Sequence, residues 1–379
     1  MRRVLLLNSL LCVGLALPAT ETLPAHVDLF VSGAEGYHTF RIPALVTAPD
    51  GTLIAFAEGR KENSRDPGGG DIDLVYKRSH DQGATWTPVQ VLDDPGQGWA
   101  ASNPTPVTDR DTGRVWILYN RWEPGHSTQS CQPGTGNNQT WARYSQDHGA
   151  TWSQPIDLTR AAREYDHWGA MFLGPGGAIQ TRAGRLVVPA AMKPDSYEFW
   201  ISTGGFEGAT SLMRAYVLYS DDHGQSWKRG ALVKAQTNEN QVVELEDGAL
   251  LMDARQGAGT HRWRFISQDG GQTWSNPAVG QTVTPVCTAI ERLSLRGSSG
   301  SNRILWAGPA GPGRLRLVAR LSYDEGQTFP VEKVLYDGLA AYVDLAILHD
   351  GSAGVLWERG ISRLSQFISF TRLRRESLE

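Results

Sequence analysis

Apolar and polar residues alternate over short stretches along most of the chain, and many of these stretches end at a turn signal. Leu74-Val75-Tyr76-Lys77-Arg78 and Ala215-Tyr216-Val217-Leu218-Tyr219 have strand length and strand composition. Each leads into the same eight-residue pattern, Ser-x-Asp-x-Gly-x-(Thr/Ser)-(Trp/Phe). The pattern occurs at Ser79 to Trp86, Ser145 to Trp152, Ser220 to Trp227, Ser267 to Trp274 and Ser322 to Phe329. Its Asp residues stand at 81, 147, 222, 269 and 324, separated by 66, 75, 47 and 55 residues, which suits a multi-stranded unit better than a helical solenoid repeat. That is propeller spacing. In such a box the carboxylate accepts turn N–H bonds, the Gly takes a positive φ and the aromatic closes over the turn. An acid repeated in every unit is therefore read as structural.

Three more hairpins are signalled by Asp50-Gly51, Asp247-Gly248 and Asp350-Gly351, each between apolar runs. Arg41 and Arg60 lie nine residues before and after the first turn. Glu239 and Arg255 lie eight before and seven after the second, and Tyr342 and Glu358 repeat that interval around the third. Residues equidistant from a hairpin turn should sit side by side. In a radial array these ends would converge on one axis as a basic and acidic pocket.

Composition narrows the class. The 379 residues are 40% hydrophobic, so a large core can form, and 42 Gly, 20 Pro and 13 Trp favour short strands and tight turns over a helical bundle. With 36 Lys plus Arg against 40 Asp plus Glu, the net charge of -4 argues against nucleic acid as a partner. Met1-Arg2-Arg3 followed by the apolar run Val4 to Leu17 reads as a secretory signal peptide over 1–19, too short for stable membrane insertion. Residues 20–379 are expected to form a single all-β domain, monomeric, and secreted or periplasmic, or in the lysosomal lumen if the source is eukaryotic. Past the signal only Cys131 and Cys287 remain, a pair that could bond in an oxidising compartment, and Asn138-Gln139-Thr140 is a glycosylation sequon.

Phe40-Arg41-Ile42-Pro43 combined with repeated Asp boxes resembles the sialidase (neuraminidase) family. Asn103-Pro104-Thr105-Pro106, Gly174-Pro175-Gly176-Gly177-Ala178-Ile179-Gln180, Ala341-Tyr342-Val343-Asp344-Leu345 and Leu356-Trp357-Glu358 follow in the family's order. The resemblance implies a six-bladed β-propeller, with one blade lacking its box. It also implies a triarginyl cluster of Arg41, Arg255 and Arg314 for the carboxylate of sialic acid, since a guanidinium offers two parallel charge-assisted bonds that an ammonium cannot. Alternation places Arg316 and Arg320 on the same face as Arg314, so periodicity does not choose among the three. Glu358 is expected to orient Arg41, and Arg60 to line the same pocket.

A carboxylate nucleophile would be repelled by the substrate's own carboxylate, which favours a neutral phenol. Tyr342 is that candidate, and Glu239 matches the base that takes its proton. Glu244 and Glu246 read as strand or turn residues. Asp66, six residues beyond Arg60 and followed by Pro67-Gly68-Gly69-Gly70, is the candidate general acid and base, with Asp71 and Asp73 as rivals. The implied activity is that of an exo-α-sialidase releasing terminal sialic acid with retention through a tyrosyl-glycosyl intermediate, on sialylated oligosaccharides, glycoproteins or glycolipids, with no cofactor and no metal. A sialoside-binding lectin and a protein-contact scaffold are the competing classes. Transfer to another sugar and intramolecular release are not separated from hydrolysis by these residues.

Overall fold

The computed structural model describes residues 23–204, 212–257, 259–299 and 301–377, so the expected signal peptide lies outside the described residues. Antiparallel strands follow one another from end to end. Thr39–Thr47, Leu53–Arg60, Ile72–Ser79 and Gln90–Asp93 form one meander, and Ala100–Asp109, Arg114–Trp122, Asn138–Ser145 and Ile156–Asp157 form the next. A lone parallel pairing, Ile72 with Ala100, joins these two into one hydrogen-bonded sheet. Asn240–Glu244, Leu250–Ala254, His261–Ser267 and Ala278–Thr282 form a separate four-stranded sheet. The 17-residue strand Val331–Ile347 pairs with Leu315–Ser322 through its first half and with Ala353–Gly360 through its second. Val27–Val31 adds to Phe367–Leu373 and so ties the two ends of the described chain together. The helices among the described residues are short, the longest α-helix being Tyr197–Ser202, and none is long and apolar enough to cross a membrane.

The core lies between consecutive sheets. Trp116 and Leu118 of one meander pack with Met171, Leu186, Val188 and Tyr216 of its successor. Ile42, Ala341 and Tyr342 share a cluster with Val243, Leu251 and Trp306. Burying such alternating faces at about 25 cal/mol per Å² is what drives the sheets together.

All five boxes adopt one hydrogen-bonded turn. In the first, Ser79 Oγ donates to Asp81 Oδ1 at 2.8 Å and accepts from Gly83 N at 2.8 Å, while Thr85 N and Oγ1 donate to the two Asp81 oxygens at 2.8 and 2.5 Å. The equivalent carboxylate to N–H bond is 2.8 Å at Asp147, Asp222, Asp269 and Asp324. The Thr85 hydroxyl and N–H together hold the Asp81 carboxyl down at about 2. Gly83, at φ 92, also presses on the neighbouring sheet, where a Cβ would lie 2.1 Å from the Phe370 ring. These acids hold turns and brace one sheet against the next.

The structure corrects several details. Arg41 pairs with Glu58 and Arg60 with Thr39, because the turn already sets Thr47 opposite Leu53, one residue off the symmetric count, and a bulge between Arg41 and Ala44 adds a second offset, so equal distance from Asp50-Gly51 does not pair the two arginines. Cys131 and Cys287 are separate, buried free thiols. The sequon residue Asn138 is buried, its Oδ1 accepting from Met171 N at 2.8 Å. It offers no exposed amide for a glycan.

Candidate active site

The innermost strands of neighbouring units converge without sharing a ladder, although single backbone bonds reach the adjoining turn, Asn240 N donating to Gly174 O at 3.3 Å and Gly176 N to Pro104 O at 2.9 Å. Among the described residues Thr39–Thr47 forms a ladder only with Leu53–Arg60, and Asn240–Glu244 only with Leu250–Ala254. At their convergent ends the ladders break. Ile42 adopts φ 58, a conformation a β-branched residue occupies at a cost of roughly 1–3 kcal/mol. Its N–H is turned out of the ladder and donates instead to Glu358 Oε1 at 3.0 Å. Asn103 repeats the device one unit on, with φ 54 and its N–H on Glu58 Oε1 at 3.1 Å.

Glu358 is fully buried and forks onto Arg41, accepting from Nε at 3.0 Å and Nη2 at 3.2 Å. The guanidinium is thereby fixed over the Tyr342 ring, 5.2 Å from its centre. Arg314 sits over the same ring at 5.5 Å. Arg255 Nη1 donates to Tyr342 Oη at 3.0 Å and also pairs with Glu239 Oε2. The Tyr342 hydroxyl donates to the other Glu239 oxygen, completing a closed arrangement of phenol, carboxylate and guanidinium. Three arginines therefore surround one buried phenol. Arg316 and Arg320 go elsewhere, both pairing with Glu332, at 3.0 and 2.9 Å. The alternation expected for the three arginines fails because Arg314 precedes the strand Leu315–Ser322, and Arg316 sits at φ 59 beside a register shift.

Burial, then the charge of Glu239, pushes the Tyr342 phenol well above its ordinary value, against the opposing pull of Arg255 and Arg41. Tyr342 is accordingly a neutral phenol that needs a base in contact to become a nucleophile, and Glu239 is in contact. Burial alone would weaken Arg41 as a base, but Glu358 and Tyr342 more than offset it and hold the guanidinium above its ordinary range.

Arg60 is buried and fully committed: Nε and Nη2 reach Glu58 Oε2 at 3.1 and 2.6 Å, and Nη1 donates to Ser64 O at 2.6 Å. Nη2 also lies 3.0 Å from Asp66 Oδ1, which is 3.4 Å from Arg41 Nη1. The Asp66 side chain is 76% exposed, on a loop closed at its base by Lys61 N donating to Asp71 O at 3.0 Å. Its rivals are occupied: the Lys61 ammonium sits 3.0 Å from Asp71, 2.8 Å from Asp73 and 3.2 Å from Asp94, filling the point where these three carboxylates converge. Glu244 pairs with Arg182 at 3.3 Å, and Glu246 bonds Asn302. The sequence reading overlooked Glu58. Its signal was present, since Glu58 follows Gly51 by seven residues, as Arg255 follows Gly248 and Glu358 follows Gly351.

A profile of the BNR repeat-like domain matches residues 51–355. The chain is 33% identical over 363 residues to a sialidase of Micromonospora viridifaciens, covering 90% of this chain and 53% of that protein. It is 28% identical over 357 residues to a sialidase of Bacteroides fragilis, covering 88% and 62%. The chain thus spans roughly half to two thirds of the length of these relatives. Among solved structures, the Hadza microbial sialidase Hz136 superposes with a TM-score of 0.82 at 23% identity, over 93% of this chain and 69% of that one, which establishes a common fold. The all-β architecture, the repeated boxes and these matches together place the chain in the BNR-repeat sialidase family.

Proposed function

We propose that this chain is an exo-α-sialidase, acting on terminal sialic acid of oligosaccharides, glycoproteins or glycolipids with retention of configuration. The observation that carries the reading is the contact of Tyr342 with both Glu239 and Arg255 beneath Arg41 and Arg314. Arg41, Arg255 and Arg314 receive the substrate carboxylate, and Arg60 lines the pocket beside them. Tyr342 Oη attacks the anomeric carbon while Glu239 takes the phenolic proton, and Asp66 protonates the departing glycosidic oxygen. Asp66 then deprotonates a water, which attacks the anomeric carbon and breaks its aryl glycosidic bond to Tyr342 Oη as Glu239 returns its proton to the departing phenolate. A neutral phenol avoids the repulsion that a carboxylate nucleophile would meet at an anionic substrate. Transfer to a second sugar would share every step but the last. The order of strands supports six blades: 39–93, 100–157, 168–229, 240–282, 289–336, and a sixth in which residues 340–373 are completed by Val27–Val31. That sixth unit lacks a box because its third and fourth strands are not consecutive in the chain. The leader-like start supports export.

The test is incubation with a 3-fluorinated sialosyl fluoride followed by peptide mapping. An adduct on the peptide containing Tyr342, with Tyr342→Phe folded but deficient in turnover of a fluorogenic sialoside, is expected. An adduct on Asp66 or Glu239 refutes the mechanism, and sialoside binding without turnover in the wild type would mean a lectin.

A further inference from the structure

Two residues below the phenol and its base, the same two inner strands touch again. Gln241 Nε2 donates to Asp344 Oδ1 at 2.9 Å. The contact spans 103 residues of chain, as does the bond from Tyr342 to Glu239, because Gln241 follows Glu239 by two positions and Asp344 follows Tyr342 by two. Alternation puts residues two apart on one face of a strand, so the two contacts are parallel rungs roughly 6–7 Å apart. We infer that Gln241 and Asp344 are positioning residues, a buried strut that sets the separation of Tyr342 and Glu239.

The inference rests on the tyrosyl mechanism proposed above and on what the backbone does not do. Asn240–Glu244 and Val331–Ile347 belong to different sheets, and no ladder fixes the distance between them. Below the strut, packing is incomplete. A cavity of about 740 Å³ enters from the opposite end, between Thr47, Thr108, Gln180 and Ile347, and reaches Gly177 and Leu345. The strut side chains bridge the two strands directly, on top of the packing of Val243 with Ala341, and both are almost fully buried with their polar atoms in use. Asp344 Oδ2 accepts from Leu45 N at 2.8 Å, on the strand that carries Arg41. Gln241 Oε1 accepts from Ile290 N at 3.0 Å, and its Nε2 also reaches Pro175 O at 3.3 Å. One carboxyl and one amide thus link four inner strands and the turn at Pro175. Gly176 leaves the space they need: at φ 64, a Cβ would lie 2.4–2.6 Å from the Asp344 carboxyl. None of these atoms touches the catalytic pair, so the strut acts through strand position.

The test compares wild type, Gln241→Met, Gln241→Glu and the double variant Gln241→Glu with Asp344→Asn, using a fluorogenic sialoside and the crystal structure of each. Gln241→Met keeps the volume and removes the amide bonds. It should lower kcat per folded molecule by roughly 10- to 100-fold, the effect of misplacing reacting groups by about 1 Å, with KM within about threefold of wild type. Gln241→Glu sets two carboxyl groups against each other and should lose at least as much. In the double variant the polarity of the rung is reversed, with the new amide donating to the new carboxylate while its oxygen still accepts from Leu45 N. Recovery of about tenfold or more over Gln241→Glu is expected, and a role in general stability alone would not predict it. The Gln241→Met crystal structure should show the Tyr342 hydroxyl out of hydrogen-bond reach of Glu239. An unmoved contact there, an unchanged kcat, or a double variant no better than Gln241→Glu overturns the strut. A wild type that releases no sialic acid refutes the hydrolase reading alone, because the crystallographic comparison still decides the strut.

Discussion

Glu358 gives the sharpest quantitative test of the site. Glu358→Gln keeps the shape of the side chain but replaces one acceptor oxygen with an NH₂ group and removes the negative charge. The native carboxylate accepts from Arg41 Nε and Nη2 and from Ile42 N, at 3.0, 3.2 and 3.0 Å, and Tyr342 N points to it from 3.5 Å. An amide can satisfy the donors facing one of its two ends, while its NH₂ opposes the donors at the other. Breaking a buried ion pair on one side costs about 3–5 kcal/mol. The Arg41 side chain is 14% exposed and faces the open pocket, so water recovers part of that, and the lower end, ~3 kcal/mol, is expected. The same change frees the Arg41 guanidinium to tilt, and a carboxylate-bearing sialic acid analogue should bind about tenfold more weakly, ~1.4 kcal/mol. Denaturant titration measures the first quantity and calorimetry the second. A stability loss under ~1 kcal/mol together with unchanged affinity would refute the claim that a buried carboxylate orients Arg41.

Three further outcomes separate roles within the site and the scaffold. Asp147→Ala should lower thermal stability by removing box-turn bonds and leave turnover per folded molecule near normal, whereas Asp66→Ala should do the reverse, most severely for substrates with poor leaving groups; equal losses per folded molecule would contradict the division. Arg41→Lys, Arg255→Lys and Arg314→Lys should each shrink the affinity difference between a carboxylate ligand and its methyl ester, measured by calorimetry, and Arg316→Lys and Arg320→Lys, which pair with Glu332, should not. Burial holds the Asp344 carboxyl up at about 7, against the bonds from Leu45 and Gln241 that favour its charge. Because the folded state keeps this proton longer than the unfolded chain, the stability it contributes is complete below pH 4 and lost as pH rises through 7, by up to ~4 kcal/mol. Asp344→Asn should flatten denaturant-derived stability across that window, and an unchanged slope would count against it.

Much of this was legible before any coordinates. The boxes were legible because a turn with one backbone conformation needs the same Ser, Asp, Gly and Thr or Ser each time, so the repeat survives in the sequence. The pairs flanking Asp247-Gly248 and Asp350-Gly351 were legible by counting, since Asn240 pairs with Ala254 and Val343 with Trp357, in register with the two tight turns. At the first hairpin the symmetric nine-and-nine count fails twice over: the turn sets Thr47 opposite Leu53, one residue off that count, and the bulge at Ile42, which simple alternation does not reveal, adds another. Counting also could not distinguish Arg314 from Arg316, since a positive φ at Arg316 breaks the period where the choice had to be made. Glu58 is hidden by symmetric counting for a different reason: it obeys the seven-residue interval after the turn that Arg255 and Glu358 share, an interval that equal distances from Asp50-Gly51 pass over.

Two kinds of proximity operate in this site, and they should respond differently to damage. Arg255 beside Glu239 is fixed within one hairpin, by Arg255 N donating to Glu239 O at 2.8 Å, so any fold that retains the hairpin retains the pair. Tyr342 beside Glu239 is fixed between hairpins that share no ladder, and depends on the closure of the whole array together with the side chains between inner strands. Loosening the array at its rim, as at an Asp box, raises the unfolded fraction without shifting the inner strands of molecules that remain folded. A perturbation on the axis shifts those strands while every hairpin stays intact. Activity per folded molecule should therefore depend on where a substitution falls along the radius, and not on how much stability it removes.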